Sequence, residues 1–165
     1  MKKLNYLLLI FLALVAFYAC EKDDICVDGN TPLLVIRFYD IDNPETLKTP
    51  SNLVVKGQLT DGTYGATIAN ASVDSIQIPL RNEALSTVYS LATNTTTDVA
   101  NTNEDIITFN YTTKEVFISR ACGFINNYEN LATELTTDTD NWIKEIKIDT
   151  TVIANQNAAH VKIYH

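Results

Sequence analysis

Apolar and polar positions alternate along most of this chain. Residues 33–39 form a dense apolar run interrupted by Arg37, between Pro32 and Asp40. Leu53, Val55 and Leu59 alternate with Val54, Lys56 and Gln58, and Ile76, Ile78 and Leu80 with Ser75, Gln77 and Pro79. Val88 and Tyr89 head a weaker segment through Leu91. Residues 106–111 and 116–119 flank Thr112-Thr113-Lys114-Glu115, which predicts a hairpin, and residues 121–125 follow closely. Ile146, Ile148 and Val152 oppose Lys147, Asp149 and Thr151; Ala159, Val161 and Ile163 oppose His160, Lys162 and Tyr164. Successive side chains of a strand leave on opposite sides, so a period of two is a strand signal. About eight or nine such segments at roughly 8–12-residue spacing predict an all-β fold, an antiparallel β-sandwich whose sheets each keep one wet face. Residues 127–135 are the one helical candidate, because Tyr128, Leu131 and Leu135 would share one side of a helix. Pro79 predicts an edge strand, since proline cannot donate to a ladder.

The first residues break this pattern. Lys2 and Lys3 precede an unbroken apolar run over residues 6–19, and charge returns at Glu21. A basic start, an apolar run and a small residue at its end form the layout of a secretory signal. The run falls short of the about 20 residues a spanning helix needs. Phe17-Tyr18-Ala19-Cys20 resembles a bacterial lipobox, with a small residue before the cysteine but without the usual leucine at −3 or small residue at −2. That resemblance implies cleavage before Cys20, a diacylglycerol thioether on its sulfur and an acylated new amine. Two or more acyl chains anchor stably where one does not. Lys22-Asp23-Asp24, directly after Glu21, resembles the surface-export signal of Bacteroidota-type lipoproteins. A solvated acidic tether is the plainer reading of the same residues. The expected organisation is therefore a signal peptide over 1–19, a lipidated tether over 20–32 and one β-sandwich domain over 33–165.

Charge narrows the partners. The chain has 12 basic and 20 acidic side chains, a formal net charge of −8. Cleavage before Cys20 removes Lys2 and Lys3 and leaves a more acidic body. That argues against nucleic acid and anionic headgroups as partners of the body. Lipidation would leave Cys26 and Cys122 as an even pair in an exported protein. A disulfide between them is the expected state in an oxidising compartment, ahead of two free thiols. Zinc wants four ligands, and two cysteines with two distant histidines do not make a set.

Candidate chemistry is sparse. There is no Gly-x-Ser-x-Gly, no phosphate loop and no His-Glu-x-x-His, so neither a cofactor nor a metal is expected and the chain does not read as an enzyme. Alternation places His160 on a solvent-facing side rather than as the base of a nucleophile pair. Asp40-Ile41-Asp42-Asn43 and Asp138-Thr139-Asp140-Asn141 carry the oxygen ligands calcium prefers, but Asx-rich turns account for them more simply. Tyr64, Tyr89, Tyr111, Tyr128, Trp142 and Tyr164 could stack on a glycan or pack in the core and at its rim. Asp74-Ser75-Ile76 and Asp149-Thr150-Thr151 resemble O-glycosylation acceptors of Bacteroidota-type envelopes.

Four stretches together carry a wider resemblance: residues 20–26, the strand Ile36-Arg37-Phe38-Tyr39-Asp40, Arg120-Ala121-Cys122-Gly123-Phe124, and the closing His160-Val161-Lys162-Ile163-Tyr164. They are similar to a family of small Bacteroidota-type lipoproteins of unknown function. The resemblance implies a place, the outer membrane and cell surface or else the periplasmic face, and a pair of cysteines, but no activity. Three functions stay open. A non-enzymatic interaction or accessory module comes first, a glycan-binding accessory of a surface uptake system second and a small carboxylate hydrolase third.

Overall fold

A computed structural model describes residues 25–26, 29–94 and 102–165. They fall into two compact units. Of the described residues, the larger comprises those within 30–116 and 125–165, and the smaller holds residues 25, 26 and 29 together with 117–124.

All nine elements among the described residues are strands. They are β1 (Leu34–Tyr39), β2 (Leu53–Gln58), β3 (Tyr64–Ala71), β4 (Ser75–Ile78), β5 (Ser86–Thr93), β6 (Asn103–Ser119), β7 (Gly123–Leu135), β8 (Glu145–Ile148) and β9 (Val161–Tyr164). Two sheets form, in the orders β4-β1-β9-β8 and β3-β2-β5-β6-β7. Their apolar faces meet in one core. Leu34, Ile36, Phe38, Ile78, Val161 and Ile163 come from the first sheet, and Leu53, Val55, Tyr89, Leu91, Ile107 and Phe109 from the second. This is the sandwich that the period-two pattern predicts. Pro79 follows directly on β4, an edge strand, as its missing N–H requires.

Three local readings need correction. The first concerns strand direction. β1 and β9 pair in parallel, Ile36 with Val161 and Phe38 with Ile163, so the four-stranded sheet is mixed. β1 is central and buries four of its six side chains, which is why residues 33–39 read as a dense run rather than an alternation. The second concerns the hairpin. Residues 112–115 lie inside the continuous β6, and the chain reverses only after Ser119. Thr112-Thr113-Lys114-Glu115 offers no residue suited to positive φ, whereas Gly123, at φ 68, supplies one just beyond the real turn.

The third concerns the helix. Residues 127–135 belong to β7, not to a helix. Asn130 sits at φ 56, and Tyr128 and Leu131 are both buried although they are three apart. A residue in the left-handed region inserted into a strand makes a bulge and shifts the inward phase by one. The bulge therefore writes helical spacing into an extended segment. The edge of β7 is not bare: the N–H groups of Tyr128 and Leu131 donate to the Ile153 and Thr151 carbonyls, each at 3.0 Å.

Candidate functional site

The smaller unit is the turn of the β6–β7 hairpin and the chain that joins it. Cys26 and Cys122 form a disulfide, with S–S 2.02 Å and Cα–Cα 4.8 Å. The Cys122 N–H donates to Ser119 Oγ at 3.1 Å, closing the turn. A Cβ on Gly29 would stand 2.9 Å from Cys122 Cβ, so the chain passes the bridge at a distance only glycine allows. Phe117 and Phe124 stack edge-to-face, their ring centroids 5.3 Å apart, and both are exposed. Cys20, Lys22, Asp23 and Asp24 lie outside the described residues.

The larger unit turns Tyr89, Tyr111, Tyr128 and Tyr164 inward. Tyr111, on β6, donates to the Arg81 carbonyl at 2.9 Å and meets Thr87 Oγ1 at 2.5 Å. Tyr128, on β7, bonds the Leu80 carbonyl at 3.0 Å and Asn82 Oδ1 at 2.7 Å. Tyr89, on β5, donates to the Pro79 carbonyl. Three strands thus each send one phenol to three consecutive carbonyls of the crossover between β4 and β5. Burial disfavours the phenolate and pushes Tyr128 up to about 12 and Tyr89 further. Of the six aromatics that could stack on a glycan, Tyr64 stays half-buried on β3. Tyr89, Tyr111, Tyr128 and Tyr164 are buried, and Trp142 gives its indole N–H to the Leu91 carbonyl at 3.0 Å.

The acid clusters are turns. Asp40 Oδ1 accepts from the Asp42 N–H at 3.3 Å and from Lys48 Nζ at 3.1 Å. The Lys48 contact, then the Asn43 amide, holds Asp40 below its ordinary value. Asp138 Oδ1 accepts from the Asp140 N–H at 3.0 Å, and Asn141 Oδ1 from the Asp138 N–H at 2.9 Å. Among the described residues no group of three or more His, Cys, Asp or Glu could hold a metal ion. A groove of about 290 Å³ lined by Gly57, Leu59, Ile68, Pro79 and Arg81 is open, and the Arg81 guanidinium there is bound to the Gln58 carbonyl.

Residues 52–165 match the model of a family described as a family of unknown function (DUF6452). The chain belongs to that family. No curated protein and no solved structure matches it. The DUF6452 match includes Cys122 and all three clamp tyrosines, whereas Cys26 precedes it.

Two buried titratable groups in the DUF6452 region differ from what the sequence pattern predicts: it does not single out Asp105, and it places His160 in solvent. Asp105 is fully buried, and its Oδ2 accepts from the Ile143 N–H at 2.8 Å, fixing the loop after Asp140. Burial raises its carboxyl above the ordinary value. The signal was present: Asp105 shares its strand face with Ile107, Phe109 and Tyr111. His160 is corrected from solvent-facing to buried. Its ring Nδ1 accepts from the Val35 N–H at 3.0 Å, and its backbone N–H donates to the Val35 carbonyl at 2.9 Å. It splices β1 to β9.

Proposed function

We propose that this protein is a lipid-anchored envelope protein whose β-sandwich serves as a non-enzymatic interaction or accessory module. The observation that carries the reading is the Cys26–Cys122 bridge, six residues after Cys20. Structural disulfides persist chiefly in oxidising compartments and are rare in the cytosol, which supports export. The signal-like run over residues 6–19 and the lipobox-like Phe17-Tyr18-Ala19-Cys20 supply the route and the acceptor thiol. Lys22-Asp23-Asp24 supports delivery to the cell surface, with the periplasmic face of the outer membrane as the alternative. The non-enzymatic part draws support from the acids and phenols, which are spent on turns and on the crossover clamp.

Two comparisons test this in intact cells of an envelope-bearing bacterium. Metabolic labelling with an alkyne fatty acid should mark the native protein and not Cys20→Ser. Label on both, or on neither, would end the lipid-anchor reading. Protease shaving should cut the native protein and spare a variant with Lys22, Asp23 and Asp24 changed to alanine. Equal protection of both would place the protein at the periplasmic face.

A further inference from the structure

We propose that the turn of the β6–β7 hairpin inserts its apolar side chains into the lipid surface that carries the Cys20 anchor. This rests on the lipid-anchor reading above. Phe117 and Phe124 are 55% and 66% exposed, and Ile118 is 37% exposed. The two rings stack on one side of the turn, while strand alternation directs Ile118 to the other. Ile25, next to the bridged Cys26, is 82% exposed. Arg120 is the one charged residue of the segment 117–124, in a chain with 20 acidic side chains. Aromatic rings and a long basic side chain suit the boundary between acyl chains and headgroups, and a guanidinium there meets no repulsion from anionic lipid.

Chain length selects the occupant. From Cys20 to Cys26 is six residues, which span at most about 22 Å when fully extended. The bridge then ties Cys26 to Cys122, between Phe117 and Phe124. A lipidated Cys20 therefore holds this turn within reach of the membrane surface. Insertion becomes an intramolecular step at high effective concentration, so a small apolar area suffices.

The test uses the full lipidated protein in vesicles of phosphatidylethanolamine and phosphatidylglycerol, with Phe124→Trp as the probe. The unsubstituted protein supplies the Trp142 background. Flotation of the native protein but not of Cys20→Ser checks the anchor separately. The proposal expects the new indole to move to the blue on reconstitution and to be quenched by lipids spin-labelled near the headgroup. A floating protein whose new indole stays solvent-like and unquenched overturns insertion and leaves the anchor standing. No flotation overturns both. A blue shift without vesicles that grows with protein concentration assigns the turn to a second copy and also overturns insertion. As a second readout, vesicle-bound Phe117→Ser/Phe124→Ser should be cut by trypsin after Arg120 several-fold faster than the native protein. Equal rates would count against insertion.

Discussion

Tyr128 shows how much a single residue carries. Its ring is fully buried, packs at 5.1 Å from Tyr111, and its hydroxyl meets both Leu80 and Asn82. Tyr128→Phe keeps the ring and strands a buried carbonyl, so it should cost about 1–3 kcal/mol in urea unfolding. No loss would mean that water replaces the clamp. The ionisable groups also bound the pH range of stability. Burial holds the neutral forms of His160 and His165, so both lie below 6.5 in the fold. Below 6.5 the unfolded chain binds more protons than the folded one. Stability from these two is complete above that value and drains as pH falls toward the folded values. Tyr128 and Tyr89 act at the other end. Their folded values are raised from 10.0, so their contribution is complete below 10 and is lost as pH rises through the folded values. Asp105, raised from 3.8, has the opposite sign to the histidines: its cost is complete above its folded value and is relieved as pH falls from there toward 3.8. The expected profile of urea midpoints against pH is a plateau between about 6.5 and about 10. Tyr128→Phe should flatten the alkaline fall, and an unchanged fall would assign it elsewhere.

Elements depend on one or two backbone positions. β7 keeps Tyr128 and Leu131 on one face only because Asn130 takes φ 56. A β-branched residue is strained there. Asn130→Val should lower stability by about 1–2 kcal/mol while Asn130→Gly stays close to the native protein in chemical denaturation. Equal values for the two would show that the bulge does not need the left-handed region. Gly123, at φ 68, has no heavy atom within 4 Å of an added Cβ. Gly123→Ala therefore isolates backbone strain from crowding, and its cost should match the left-handed penalty of about 1–2 kcal/mol. The segment 127–135 also explains why an element can be misread. Helix and bulged strand both bring residues i and i+3 to one side, and local spacing does not separate them.

At the scale of the whole molecule, the disulfide closes residues 96 apart in sequence. In the chain-entropy account such a loop is worth up to about 4–5 kcal/mol, and measured bridges commonly give about 2–4. Reduction, or Cys26→Ser with Cys122→Ser, should lower the urea midpoint by an amount in that range. An unchanged midpoint would mean that the unfolded chain is already compact around this pair. The same comparison should show faster proteolysis of the segment before Asn30 once it is no longer bridged.

Much of this was legible in the residues themselves. The strands over residues 53–58, 75–78, 106–111, 146–148 and 161–164 follow from alternation, because side-chain direction in a strand is a local steric matter. The Cys26–Cys122 pair follows from counting, if Cys20 is set aside as the lipobox resemblance implies. Partners across the chain were not legible. That β1 lies beside β9, in parallel, depends on which of many apolar strands best completes the buried face, and alternation marks the face without naming the neighbour. His160 and Asp105 became buried for the same reason: each is wanted by a backbone N–H far away in sequence, Val35 for one and Ile143 for the other. The three clamp tyrosines could be read as core packing or as a binding platform, and only the crossover at 79–82, folded beneath their hydroxyls, fixes their inward role. Local sterics and residue chemistry set the strands and the cysteine pair; long-range hydrogen bonding and packing alone decided the pairing, the buried polar groups and the inward turn of the aromatics.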